Sequence, residues 1–175
     1  NSEIKKSKDK IVVIDYKNIL RCYSIIDGSE CWNLQTDVSF TISNSKFSLV
    51  IIKDLVIFSN SIGDITAVDM ETGRITWQLP TQSSSIINET YNFMISKLVS
   101  DGNSIFFSNN KNQFYSVDVN TGTVNWINDI NSNITPVISG NLIFTVANEG
   151  YLFVIDKNKG NIIRITDLFK NYKIK

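Results

Sequence analysis

The chain is predicted to be all-β, and three observations predict it. Short runs rich in Val, Ile, Phe and Tyr recur along its length, no stretch sustains a helical period, and one hairpin-like segment is repeated. Apolar or alternating runs of this length, bounded by Gly, Asn, Asp and Ser, suit strands, because β-branched and aromatic side chains fit a pleated surface.

The repeat organises everything else. Residues 20–32, 65–77, 114–126 and 152–164 align without gaps. Each carries Gly at its ninth place: Gly28, Gly73, Gly122 and Gly160. Asp69, Asp118 and Asp156 fill the fifth place, with Ser24 in the first copy. Trp32, Trp77 and Trp126, all the tryptophans of the chain, fill the last place, with Arg164 in the fourth copy. The local chemistry is that of a β-hairpin. A strand ends at Asp, whose carboxylate can accept backbone N–H groups of the loop, and Gly closes the loop where φ must be positive. The spacing of the Trp position, roughly 38 to 49 residues, matches a four-stranded propeller blade with variable loops.

Taken in order, the first repeat has a second strand at 11–14 and its hairpin at 20–32. That strand begins so near Lys10 that no inner strand is expected ahead of it. Lys5, Lys6, Lys8 and Lys10 read as a solvated, frayed terminus. The second repeat has a strand at 55–59 before its hairpin, and a polar connector at 80–90 follows. In the third, a strand at 104–108 precedes the hairpin. In the fourth, an inner strand at 135–139, a strand at 141–146 and a turn at 148–150 lead to a third strand starting at Tyr151. The expected architecture is a partial β-propeller of about four antiparallel four-stranded blades, the first incomplete. The repeats fall at roughly 10–34, 46–79, 93–128 and 134–168 of a single domain, expected to be a segment of a larger propeller.

Composition narrows the chemistry. The 175 residues include no histidine, which excludes Ser-His-Asp and Cys-His catalysis and His-ligated metals. Seventeen basic residues balance seventeen acidic ones, which argues against a nucleic-acid surface. No run of about 18 apolar residues is present to span a membrane as a helix.

The repeat also resembles a known family. Ala67-Val-Asp-Met-Glu-Thr-Gly-Arg-Ile-Thr-Trp77 is similar to the quinoprotein-like β-propeller pattern Ala-x-Asp-x-x-Thr-Gly-Lys-x-x-Trp, with Arg74 for Lys. The third copy matches with Ser116 for Ala, and the first and fourth are degenerate. The resemblance implies radial blades joined by a tryptophan-docking motif, in which Trp packs on the neighbouring blade. One branch of that family comprises dehydrogenases that bind pyrroloquinoline quinone and calcium beside a pair of adjacent cysteines. The other comprises non-enzymatic scaffolds such as the BamB-type lipoproteins of outer-membrane assembly. Here Cys22 and Cys31 are not adjacent, every Trp belongs to the repeat, and Asp64, Asp101 and Asp129 stand apart without calcium-ligand spacing.

The expectation is therefore a non-enzymatic scaffold for protein–protein interaction, resembling the BamB branch and needing no cofactor. It would be periplasmic or envelope-associated in a bacterium, partnered by the assembly machinery, by a second copy or by further blades. The alternative is part of a quinone-dependent dehydrogenase, or a ligand-binding or sensor domain of a larger exported protein. The repeat residues are read as structural.

In the first hairpin, register counted outward from the loop pairs Ser24 with Ser29 and places Cys22 opposite Cys31. It likewise pairs Ala67 with Thr76 and Ser116 with Asn125. Opposed strand residues lie about 4.5–5.5 Å apart at Cα, within reach of a disulfide. The pair is expected either as that bond or as two neighbouring free thiols.

Overall fold

A computed structural model describes residues 3–36, 47–81 and 94–170. Among these residues the strands form four antiparallel four-stranded sheets, and within each the strands hydrogen-bond in chain order. The first sheet contains β1 (Glu3–Ser7), β2 (Lys10–Ile14), β3 (Ile19–Ser24) and β4 (Glu30–Gln35). The second contains β5 (Leu49–Ile52), β6 (Leu55–Ser59), β7 (Ile65–Asp69) and β8 (Ile75–Leu79). The third contains β9 (Val99–Ser100), β10 (Ser104–Asn109), β11 (Gln113–Asp118) and β12 (Val124–Asn128). The fourth contains β13 (Val137–Ser139), β14 (Leu142–Val146), β15 (Tyr151–Asp156) and β16 (Ile162–Asp167). Most of the connector at 80–90, and the repeat boundaries near 46 and 93, lie outside the described residues.

The first sheet corrects one expectation, because it is complete. β1 pairs with β2 from Glu3↔Ile14 to Ser7↔Lys10, through a turn in which Lys8 takes φ 51°. The lysine-rich start is not frayed. Lys8 pairs with Asp54 at 3.3 Å, Lys10 pairs with Glu71, and the Glu3 carboxylate accepts the Leu49 amide at 2.9 Å. An edge strand can be this polar, since one of its faces meets solvent and charge there discourages further pairing.

The chain folds as two compact units. The first comprises Asn1–Met94 and Val119–Thr123. Its core joins Val12, Ile14 and Leu20 to Leu49, Val56, Phe58, Val68 and Met70, with Trp32 and Leu34 packed against them. The second comprises Ile95–Asp118 and Val124–Lys175. Its core joins Phe106 and Phe114 to Ile130, Ile143, Ala147 and Ile155, with Trp126 and Phe153 alongside.

A second correction concerns register. Each hairpin between third and fourth strands slips by one residue just beyond its loop, so Cys22 faces Trp32, Ala67 faces Trp77, Ser116 faces Trp126 and Val154 faces Arg164. Cys31, Thr76, Asn125 and Ile163 are the extra residues of four β-bulges. The loops themselves close as expected: Ser24 donates to the Ser29 carbonyl at 2.9 Å, and Gly28 to the Ser24 carbonyl at 3.0 Å. The slip follows the left-handed glycine, where a bulge adds the local twist a strand needs to leave such a loop.

Candidate functional site

The feature built by all copies of the repeat is a tight turn closed by a glycine, and in three of them an aromatic ring lies on that glycine. In the second sheet, Asp69 Oδ1 accepts the Thr72 hydroxyl at 2.7 Å and the amides of Thr72 at 2.8 Å and Glu71 at 3.1 Å. Those bonds, the Thr72 hydroxyl first, hold the carboxyl below its ordinary pKa. Asp156 accepts the amides of Lys159 at 2.7 Å and Asn158 at 3.0 Å in the same way. Asp118 ends β11 opposite Ser104. In the first copy Ser24 Oγ accepts the Ile26 amide at 3.2 Å, and Asp27 braces the loop by accepting the amide and hydroxyl of Ser29. Those Ser29 bonds lower the Asp27 pKa.

Each turn glycine takes positive φ: 73° at Gly28, 68° at Gly73, 72° at Gly122 and 75° at Gly160. Three of them also have a ring against them. A Cβ on Gly73 would stand 2.6 Å from Cδ2 of Trp32, one on Gly122 2.6 Å from Cδ2 of Trp77, and one on Gly160 2.7 Å from Cδ2 of Trp126. Each indole also donates from Nε1 to a turn carbonyl: Trp32 to Met70 at 3.0 Å, Trp77 to Val119 at 2.9 Å and Trp126 to Lys157 at 3.1 Å. Trp126 stacks on Phe114 as well, with centroids 5.8 Å apart. A buried indole normally finds an acceptor for its N–H, and here the repeat supplies it. By contrast, no described residue lies within 4 Å of a Cβ built on Gly28, and Arg164 holds the Trp position of the exposed β16.

Cys22 is buried and Cys31 exposed, and both are free thiols. Although the bulge puts Trp32 rather than Cys31 opposite Cys22, the two thiols remain near enough to influence each other. The same geometry recurs in the third sheet, where Asn125 Nδ2 donates to Ser116 Oγ at 3.1 Å. Burial first, and then the neighbouring Cys31 thiol, pushes the Cys22 thiol up to about 12.

Asp101, isolated in sequence, is brought by the fold to Lys157, with Nζ 2.8 Å from Oδ2. Burial pushes its pKa up, but the Lys157 bond and the Ser104 and Asn103 amides outweigh that and leave it below the ordinary value. No spacing or motif announces this pair. Asp64 is likewise engaged, accepting the Thr81 amide at 3.1 Å. Among the described residues no group of three or more His, Cys, Asp or Glu side chains is arranged to hold a metal ion.

Four meandering four-stranded sheets with a recurrent Trp-on-Gly contact define a β-propeller repeat protein. The family described as Outer membrane protein assembly factor BamB matches residues 3–166, and the chain belongs to that family. Three solved structures share the fold. BamB from Moraxella catarrhalis superposes with a TM-score of 0.77 at 17% identity, over 93% of this chain and 50% of that one. The computationally designed Ika8 protein gives 0.71 at 18% identity, over 94% and 48%. A europium-containing methanol dehydrogenase gives 0.73 at 11% identity, over 94% and 41%. The chain thus spans half or less of the length of each of these structures. No curated protein matches it in sequence.

Proposed function

We propose that the chain is a non-enzymatic β-propeller scaffold that binds other proteins, with a role in outer-membrane protein assembly like the one its family is named for. The match of that family across residues 3–166 carries the reading. The geometry supports it, because the repeat carboxylates of Asp69 and Asp156 are committed to bracing turns rather than to a ligand. Rigid sheets then present loops and free edges on which a partner's backbone or side chains can dock.

In this reading the protein works at the periplasmic face of a bacterial envelope and uses no cofactor. The Trp–Gly contacts serve as the docking motif between blades. The repeats near 10–34, 46–79, 93–128 and 134–168 act as a segment of a larger propeller, in keeping with the half-length match to BamB from Moraxella catarrhalis.

The test is affinity purification of the tagged protein from bacterial envelopes, followed by identification of what accompanies it. Co-purification of outer-membrane assembly proteins, with reduced outer-membrane protein levels on deletion, is the expected result. Oxidation of an alcohol by the complete protein, dependent on pyrroloquinoline quinone and calcium, would replace the scaffold with the dehydrogenase reading.

A further inference from the structure

The first hairpin's turn is built like the other three but lacks their aromatic cover. Its glycine has the same left-handed φ and the same closing hydrogen bonds, yet among the described residues the space above Gly28 is open, and Ile25 and Ile26 beside it are 40% and 85% exposed. Among the described residues the sheet face continuing from that turn is also only partly covered. Ile11 pairs with Tyr23 and Val13 with Arg21, all of them half-buried, whereas Val56, Phe58, Thr66 and Val68 at the equivalent places of the second sheet are fully buried.

The fourth sheet shows the complementary defect. Phe144 pairs with Val154 and Val146 with Leu152 on its outer face, all half-buried, whereas Ile57, Ala67, Ser59 and Ile65 at the equivalent places are fully buried. Opposite Val154 stands Arg164, where the other three sheets carry Trp.

The charges at these two incomplete places match. Asp27 occupies the eighth repeat place, where the other turns have Thr72, Thr121 and Lys159. The copy with no Trp over its glycine has an acid there, and the copy with no glycine turn against its last strand has an arginine. A guanidinium is planar, stacks as an aromatic ring does, and carries N–H groups that can reach both a carboxylate and a turn carbonyl.

We propose that the outer face of the fourth sheet docks on the first sheet of a second copy of this chain. Arg164 lies over Gly28, donates to the Ile25 carbonyl and pairs with Asp27, as each Trp covers its glycine and donates to the carbonyl at the sixth place. Each copy offers one such face and one such turn, and two copies together supply the length of one solved BamB chain, of which this chain covers 50%. Because the contact is between unlike surfaces, it closes into a dimer or propagates into a chain of copies. The inference rests on the repeat geometry and stands whether or not the assembly role is correct.

Sedimentation velocity of the 175-residue chain from about 1 µM to about 1 mM reads the association directly. Association that rises with concentration is expected, with Arg164→Glu and Asp27→Lys each weakening it about tenfold or more. The double reversal should restore it to within a few-fold, and Arg164→Trp should tighten it. Both side chains are exposed, and unfolding curves confirm that each variant remains folded. A monomer across the whole range, or association indifferent to both reversals, would overturn the proposal. So would protection of the Gly28 turn in a monomeric longer polypeptide, which would assign the contact to further blades of the same chain.

Discussion

The indole of Trp32 sits so close to the backbone of Gly73 that a Cβ there would stand 2.6 Å from its Cδ2 carbon. Glycine is therefore required twice at this position, once for its φ of 68° and once for the room it leaves. At Gly28 the first requirement holds without the second. Left-handed φ costs a non-glycine residue about 1–2 kcal/mol, and overpacking adds about 1–3 kcal/mol. Gly28→Ala should cost about 1 kcal/mol and Gly73→Ala about 3 kcal/mol, by urea unfolding at low protein concentration. Equal losses would mean that the ring does not constrain Gly73.

Trp77 is the most buried of the three tryptophans, and its removal takes away both area and a hydrogen bond. Trp77→Ala should cost about 3–5 kcal/mol, as large aromatic truncations do. Trp77→Phe keeps a ring over Gly122 but leaves the Val119 carbonyl without its donor, an added loss of about 1 kcal/mol. A loss below about 1 kcal/mol for both Trp77→Ala and Trp126→Ala would remove the docking role from these residues.

The Asp101–Lys157 pair predicts a pH dependence of fixed sign. The folded carboxyl titrates below its ordinary value. Its contribution is therefore complete above the unfolded pKa of about 3.9 and is lost as pH falls through the folded value. For a mostly buried but solvent-touching pair about 1 kcal/mol is reasonable. Asp101→Asn should be less stable than the parent by that amount from about pH 5 to 8, with the two curves converging as the pH falls through the lowered folded pKa of the carboxyl. A difference that persists at low pH would mean that the asparagine perturbs packing instead.

The repeat was legible because its determinants are local. Gly73 answers a turn that needs positive φ, Asp69 answers the amides of that turn, and Trp stands at the last place in three of the four copies. What escaped depends on partners distant in sequence. β1 has Ile4 as its one large apolar residue, and it is held by Glu3 and Lys8, whose partners Leu49 and Asp54 lie in the second sheet. The bulge at Cys31 escaped because counting outward from a loop assumes an unbroken ladder, and one extra residue shifts every later pair. Asp101 and Lys157 meet from turns of two separate sheets, and neither carries a local signal.

The two thiols differ in reactivity for reasons the hairpin makes plain. Cys31 is exposed as the extra residue of a bulge, while Cys22 lies buried in β3 with its thiol pushed up to about 12 by burial and by the neighbouring Cys31. The thiolate is the reacting species, so native protein near neutral pH should take up one equivalent of an aromatic disulfide reagent quickly, at Cys31. Without unfolding, the mixed disulfide can be resolved by the Cys22 thiolate, which attacks the Cys31 sulfur and expels the reagent's thiolate with its electron pair. That step should be slow at neutral pH and accelerate as pH rises toward about 10, releasing a second equivalent of chromophore as the Cys22–Cys31 bond forms. The chain-entropy gain for so short a loop is at most about 3 kcal/mol, less any strain. Cys31→Ser should abolish the fast phase, and Cys22→Ser should leave it intact but block the second release. Equal, fast labelling of both thiols in the folded protein would show that burial does not shield Cys22.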